Sequence, residues 1–175
     1  MTAAPDDGGA LARLLAGGRH NRLLILGTPL PALLLPDTGH FALTAQLRRA
    51  DQAAAAGQCI ADPERLPFVE ALFDRLLVTT PLPGARTELR ELWRIMAPAA
   101  LMLLVIKARR PWRFGAPGWL EDDLQQALDD GMFEALDWQV ETLPDRHHLI
   151  LVAKRDGLRS APIGRVEEVQ VTATA

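Results

Sequence analysis

ELRELWRIMAPAALMLLVIKARRPW, residues 88–112, sets a helix and a strand back to back. Across residues 85–96, Leu89, Leu92, Trp93 and Met96 recur at helical spacing with charges on the opposite face, the pattern of a helix half-embedded in a core. Thr87 is followed three residues later by Arg90 rather than a glutamate, so no capping box opens the helix. Pro98 stops it. Residues 101–106 are then apolar at every position, as a strand covered on both faces must be.

Working outward, residues 23–26 form a second continuous apolar run and read as another central strand. A short strand is predicted at 41–44, after the turn signal Pro36-Asp37-Thr38-Gly39. A short exposed helix at 47–56, ended by Gly57, comes next. Strands at 58–61 and 75–79 flank a proline-marked loop at 62–67. A second amphipathic helix spans 119–131 with Gly131 as its C-cap. The β-like runs 135–143 and 147–154 are joined by Pro144-Asp145-Arg146 and read as an antiparallel pair. Strands alternating with helices indicate an α/β fold, a mostly parallel sheet with an antiparallel last strand and helices on both faces. The expected domain is 22–155, preceded by a flexible or weakly helical segment, 1–21, and followed by a mobile tail, 156–175.

The 175 residues make one domain by length, with 49% apolar and 23% charged residues. A net charge of −3 supplies no global basic field for nucleic acid or an anionic membrane. One cysteine, Cys59, excludes an internal disulfide framework and fits a reducing compartment. Asp6 and Asp7 stand where a signal peptide would carry positive charge, and the apolar runs are shorter than a membrane helix needs, so the expected location is cytoplasmic.

Several pieces recur in one order: Asp62, Leu66-Pro67-Phe68, Phe73-Asp74, Leu89-Arg90-Glu91-Leu92-Trp93-Arg94 and Met96-Ala97-Pro98-Ala99-Ala100. In that order and spacing they resemble the class I S-adenosylmethionine-dependent methyltransferases, and among them the type 11 branch. The resemblance covers residues 22–155. It implies a Rossmann-like, seven-stranded sheet whose last strand, 147–154, is antiparallel, and S-adenosylmethionine as cofactor.

It also implies where the cofactor would lie. Gly27 matches the first glycine of the family's loop after the first strand. Pro29 and Pro31 fall where the next two glycines would be, and a proline cannot take a glycine's left-handed conformation. Ile25 stands at the position of the family's first acid. Gln46 ends the predicted second strand where a ribose-binding carboxylate is usual. Asp62 matches the acid that meets the adenine amino group, Leu66 or Phe68 would line the adenine face, and Thr79 would touch the cofactor. Asp62 before Pro63 is equally an ordinary turn residue. Asp74 is assigned a structural role at the head of the fourth strand.

Other residues carry less chemistry. Trp93 lies on the apolar face of its helix and reads as core, and Cys59 as an inert thiol. His147 and His148, adjacent in a strand, point to opposite faces and cannot readily share a metal. Glu121-Asp122-Asp123 suit a helix start. Lys107, Arg109, Arg110 and Arg113, interleaved with Trp112 and Phe114, read as an exposed loop more readily than as a nucleic-acid contact. No His, Cys or carboxylate offers itself as a general base. Two functions stay open: a methyltransferase acting on a small molecule or a protein, and a catalytically inactive relative that serves as a binding or scaffolding partner.

Overall fold

The structure, a computed structural model, describes residues 8–16, 18–27, 41–48, 59–79, 82, 85–112, 115, 117–143 and 145–155. In chain order the elements are α1 (Gly8–Leu15), β1 (Arg22–Leu26), β2 (Leu43–Arg48), β3 (Cys59–Ile60), β4 (Phe73–Val78), α2 (Ala85–Ile95), β5 (Met96–Lys107), α3 (Glu121–Asp130), β6 (Phe133–Leu143) and β7 (Asp145–Lys154). The strands form one seven-stranded sheet in the order β3-β2-β1-β4-β5-β7-β6. β1 pairs in parallel with β2 and β4, β2 with β3, and β4 with β5. β7 runs antiparallel to both β5 and β6, so it alone is reversed. This is the expected α/β architecture, down to its antiparallel last strand.

Two apolar layers sandwich the sheet. On one face α2 and α3 bury Leu89, Leu92, Leu124 and Leu128 against Leu24, Leu76, Met102 and Ile150. On the other, Ala10, Leu14 and Leu15 of α1 cover Leu23, Ile25, Leu77, Leu103 and Leu151. The segment before Arg22, expected to be flexible or weakly helical, is helical over α1 and packed on the sheet there; residues 1–7 lie outside the described residues.

Several boundaries move. β2 runs on to Arg48, so Leu47 and Arg48 are strand and not the start of the helix predicted at 47–56; the remainder of that helix and the tail 156–175 lie outside the described residues. Pro98 does sit beyond α2, but the helix has already ended at Ile95, and Pro98 is carried within β5. Local pairing explains this: β4 and β5 shift register between Phe73 and Arg75, beside the positive-φ residue Ala99. Gly131 does end α3, but at φ −80; Met132 takes the left-handed turn at φ 63. Space is tight at 131, where a Cβ would lie 3.1 Å from the Leu89 Cβ and 3.2 Å from the Ala127 carbonyl oxygen.

Asp74 has the structural role expected of it. Its Oδ2 accepts the Arg22 N–H at 2.9 Å, fastening the head of β1 to β4. Trp93 packs against the core, and Lys154 lies 3.7 Å over its ring while donating to the Met96 carbonyl at 2.9 Å. No helix among the described residues is long and apolar enough to cross a membrane.

Candidate functional site

Parallel strands deliver all their carboxyl ends to one edge of a sheet, and ligands bind where the strand order reverses direction. Here that point lies between β1 and β4. Gly27 leaves β1 with φ 100, a conformation side chains resist, and its N–H donates to the Leu47 carbonyl at 2.8 Å. Across the switch, the Thr79 N–H donates to the Leu26 carbonyl at 2.9 Å. Gly27 and Thr79 therefore bracket the crevice.

The other expected cofactor residues are spread further. Gln46 is half-buried and paired with Ile25, two residues short of the carboxyl end of β2, because the strand is longer than its apolar pattern indicates. Asp62 is exposed beyond β3; its Oδ1 accepts the Glu64 N–H at 3.0 Å and its carbonyl accepts the Arg65 N–H at 3.0 Å, so it also builds the turn. Leu66 is 3% exposed and packs in the core, while Phe68 is half-buried in edge contact with Phe73 at 4.8 Å. Pro29 and Pro31 lie outside the described residues.

The motif Leu66-Pro67-Phe68 and the motif Glu91 to Arg94 meet in space. Arg94 donates to the Phe68 carbonyl at 2.7 Å, the Leu66 carbonyl at 3.1 Å and Glu91 at 2.8 Å, and Glu91 accepts the Leu66 N–H at 3.1 Å. Arg94's hydrogen bond holds the Glu91 carboxyl below its ordinary value against the opposing effect of burial, with Leu66's N–H helping. The pair clamps the loop that follows Asp62 onto α2.

A cavity of about 220 Å³ opens beside Thr79 at the carboxyl ends of β4 and β5. Thr79, Val105, Lys107 and His147 line it on the α1 side of the sheet, and Pro117, Gly118 and Trp119 wall it. The wall is stitched to β5: the Trp119 N–H donates to the Lys107 carbonyl at 2.9 Å, and the Arg109 N–H to the Trp119 carbonyl at 2.8 Å. Gly118, at φ 123, is required there, since a Cβ would stand 2.8 Å from the Lys107 carbonyl oxygen. Lys107 pairs with Asp145 at 2.6 Å, Arg109 with Asp123 at 3.7 Å, and Arg110 lies over Trp112 at 5.5 Å, so these three members of the basic stretch each have a local partner.

The two histidines point to opposite faces, as their spacing requires. His148 faces the α2–α3 side; its Nδ1 accepts the Trp138 indole N–H at 3.1 Å, and its Nε2 lies 3.3 Å from the Trp119 carbonyl. Burial pushes its imidazole below the ordinary value, with Trp119's carbonyl opposing. His147 lines the cavity, with Nδ1 2.8 Å from the Asp145 carbonyl. The sequence offered no base for this site, and the structure supplies an imidazole. One signal could have found it: in an antiparallel last strand the first residues, not the last, reach the ligand edge. Among the described residues no three His, Cys, Asp or Glu side chains gather to hold a metal.

No family model matches the chain, and no curated protein matches it. Solved structures do. The [4+2]-cyclase SpnF superposes with a TM-score of 0.63 at 14% identity, over 82% of this chain and 78% of its own. The 1,6-didemethyltoxoflavin-N1-methyltransferase of Burkholderia thailandensis, solved with 1,6-didemethyltoxoflavin and S-adenosylhomocysteine, superposes with 0.59 at 16% identity, over 86% and 80%. A SAM-dependent methyltransferase of Methanosarcina mazei gives 0.53 at 12% identity, over 88% and 99%. The chain has the Rossmann-like fold of the S-adenosylmethionine-dependent methyltransferases.

Proposed function

We propose that this protein is an S-adenosylmethionine-dependent methyltransferase whose cofactor lies over the carboxyl ends of β1 to β4. The supporting observation is Gly27, held at positive φ at the strand-order reversal with Thr79 beside it. A backbone without a Cβ at that point lets a ligand approach closely. The group fits the residues present at this edge. Gly27 and Thr79 would pass along its amino-acid portion, and the exposed Asp62 carboxylate, fixed by its turn and by the clamped loop behind it, would accept the adenine amino group. When bound, the cofactor supplies an electrophilic methyl on sulfur; the protein's part is to orient the acceptor against it and exclude water.

Fold alone does not establish chemistry, as a cyclase with this fold illustrates. One observation favours the second reading, an inactive binding protein: Ile25, where an acid would be expected, is 6% exposed and packed under α1. Calorimetric titration with S-adenosylhomocysteine separates the two. The expected outcome is saturable binding, weakened about tenfold by Asp62→Ala through loss of a charged hydrogen-bond acceptor. A folded wild-type protein that gives no heat at millimolar ligand overturns the methyltransferase reading. Binding that Asp62→Ala leaves unchanged overturns the role given to Asp62.

A further inference from the structure

We propose that the cavity beside His147 is a binding site for a small, neutral, one-ring molecule carrying a hydroxyl, whose O–H donates to His147 Nε2. The tautomer follows from chemistry. The Asp145 carbonyl 2.8 Å from Nδ1 can only accept, so Nδ1 carries the proton and Nε2 of the neutral ring carries the lone pair. The ring is 9% exposed and lines the cavity, and with Nδ1 engaged by Asp145, Nε2 is the ring's remaining polar atom for a ligand there.

The remaining wall sets the ligand's shape and charge. Val105, Ile106, Pro117 and Trp119 are apolar, and the volume of about 220 Å³ exceeds the roughly 150 Å³ that admits benzene. Lys107 is the cationic residue of the lining, and its ammonium is engaged by Asp145 at 2.6 Å. Glu141 stands opposite His147 on β6, so this end of the site favours a neutral donor over an anion. Such a site is built: His147 is oriented by its own strand, and the wall is held by the hydrogen bonds of Trp119 and by the close approach that only Gly118 allows. Binding of this ligand does not depend on the cofactor. On the methyltransferase reading it also gives His147 a reaction role. His147 Nε2 would take the proton that the hydroxyl oxygen gives up when it is methylated; the bound cofactor would supply the methyl group and keep the bonding electron pair on its sulfur, so the positive charge would end on the imidazole.

The test uses p-cresol and toluene as probes, which share a ring and a methyl group and differ in the hydroxyl. Both are titrated into the full-length, nitrogen-15-labelled protein at pH 8 without nucleoside. Wild type is expected to bind p-cresol at least tenfold tighter than toluene, with the shifts centred on Val105, Trp119 and His147. His147→Phe, which keeps a ring but removes the acceptor, is expected to lose that preference. Long-range imidazole spectra of the wild type give a readout independent of any variant: His147 Nε2 should be unprotonated and should move on adding p-cresol. Equal affinity for the two probes, binding of neither, or a proton on Nε2 overturns the proposal. None of these outcomes bears on S-adenosylhomocysteine binding, so the two readings fail separately.

Discussion

At the scale of single residues, His148 shows how an interior histidine is specified by its neighbours. Its Nδ1 accepts from Trp138 and its Nε2 donates to Trp119, an arrangement only the neutral ring can make. An added proton on Nδ1 would face the indole N–H. Because the folded-state value is lowered, the unfolded chain binds the proton more readily, and stability rises with pH. The contribution is complete above the ordinary value of 6.5 and is lost as pH falls below it toward the folded value. Urea unfolding between pH 8 and pH 5 should therefore show a stability loss that His148→Gln reduces. Identical slopes in the two proteins would mean that another group carries the dependence. The same ring anchors the Trp119 wall, so one half of the histidine pair supports the site that the other half lines.

At the scale of elements, the clamp between α2 and the loop after β3 explains why two separated motifs go together. Arg94 satisfies two loop carbonyls and neutralises Glu91, with both side chains largely shielded from water at 29% and 20% exposure. Arg94→Met keeps the aliphatic stem but strands Glu91 and both carbonyls. The expected cost is about 2 kcal/mol in urea denaturation, the penalty for unsatisfied, partly buried polar groups. A change below about 0.5 kcal/mol would place this pair among ordinary surface ion pairs.

At the scale of the whole molecule, the sheet is stabilised from both faces, and α1 carries most of what is described on the second. Leu14 is fully buried against β1, β4, β5 and β7. Leu14→Ala should cost about 3 kcal/mol, in the range for truncating a buried leucine. A loosely attached leader would give almost no change, so the thermal or urea midpoint decides between them. The sheet also explains the site: five parallel strands bring Gly27, Asp62 and Thr79 to one edge, and the reversed β7 brings His147 to the same edge from its opposite end.

By itself the sequence determined the fold class, because the double-sided apolar runs 23–26 and 101–106 can be satisfied only in the middle of a covered sheet. It also determined the antiparallel ending, the structural part of Asp74 and the opposed faces of the two histidines, each a local consequence of spacing or turn chemistry. The tertiary structure alone decided where β2 ends, because a partner strand extended it past its apolar pattern to Arg48. It alone made α1 part of the core, since eight residues of weak propensity become a stable helix only when a sheet covers their apolar side. And it alone placed His147 and Thr79 on the wall of one cavity, because that placement follows from strand order and direction, which no local pattern records.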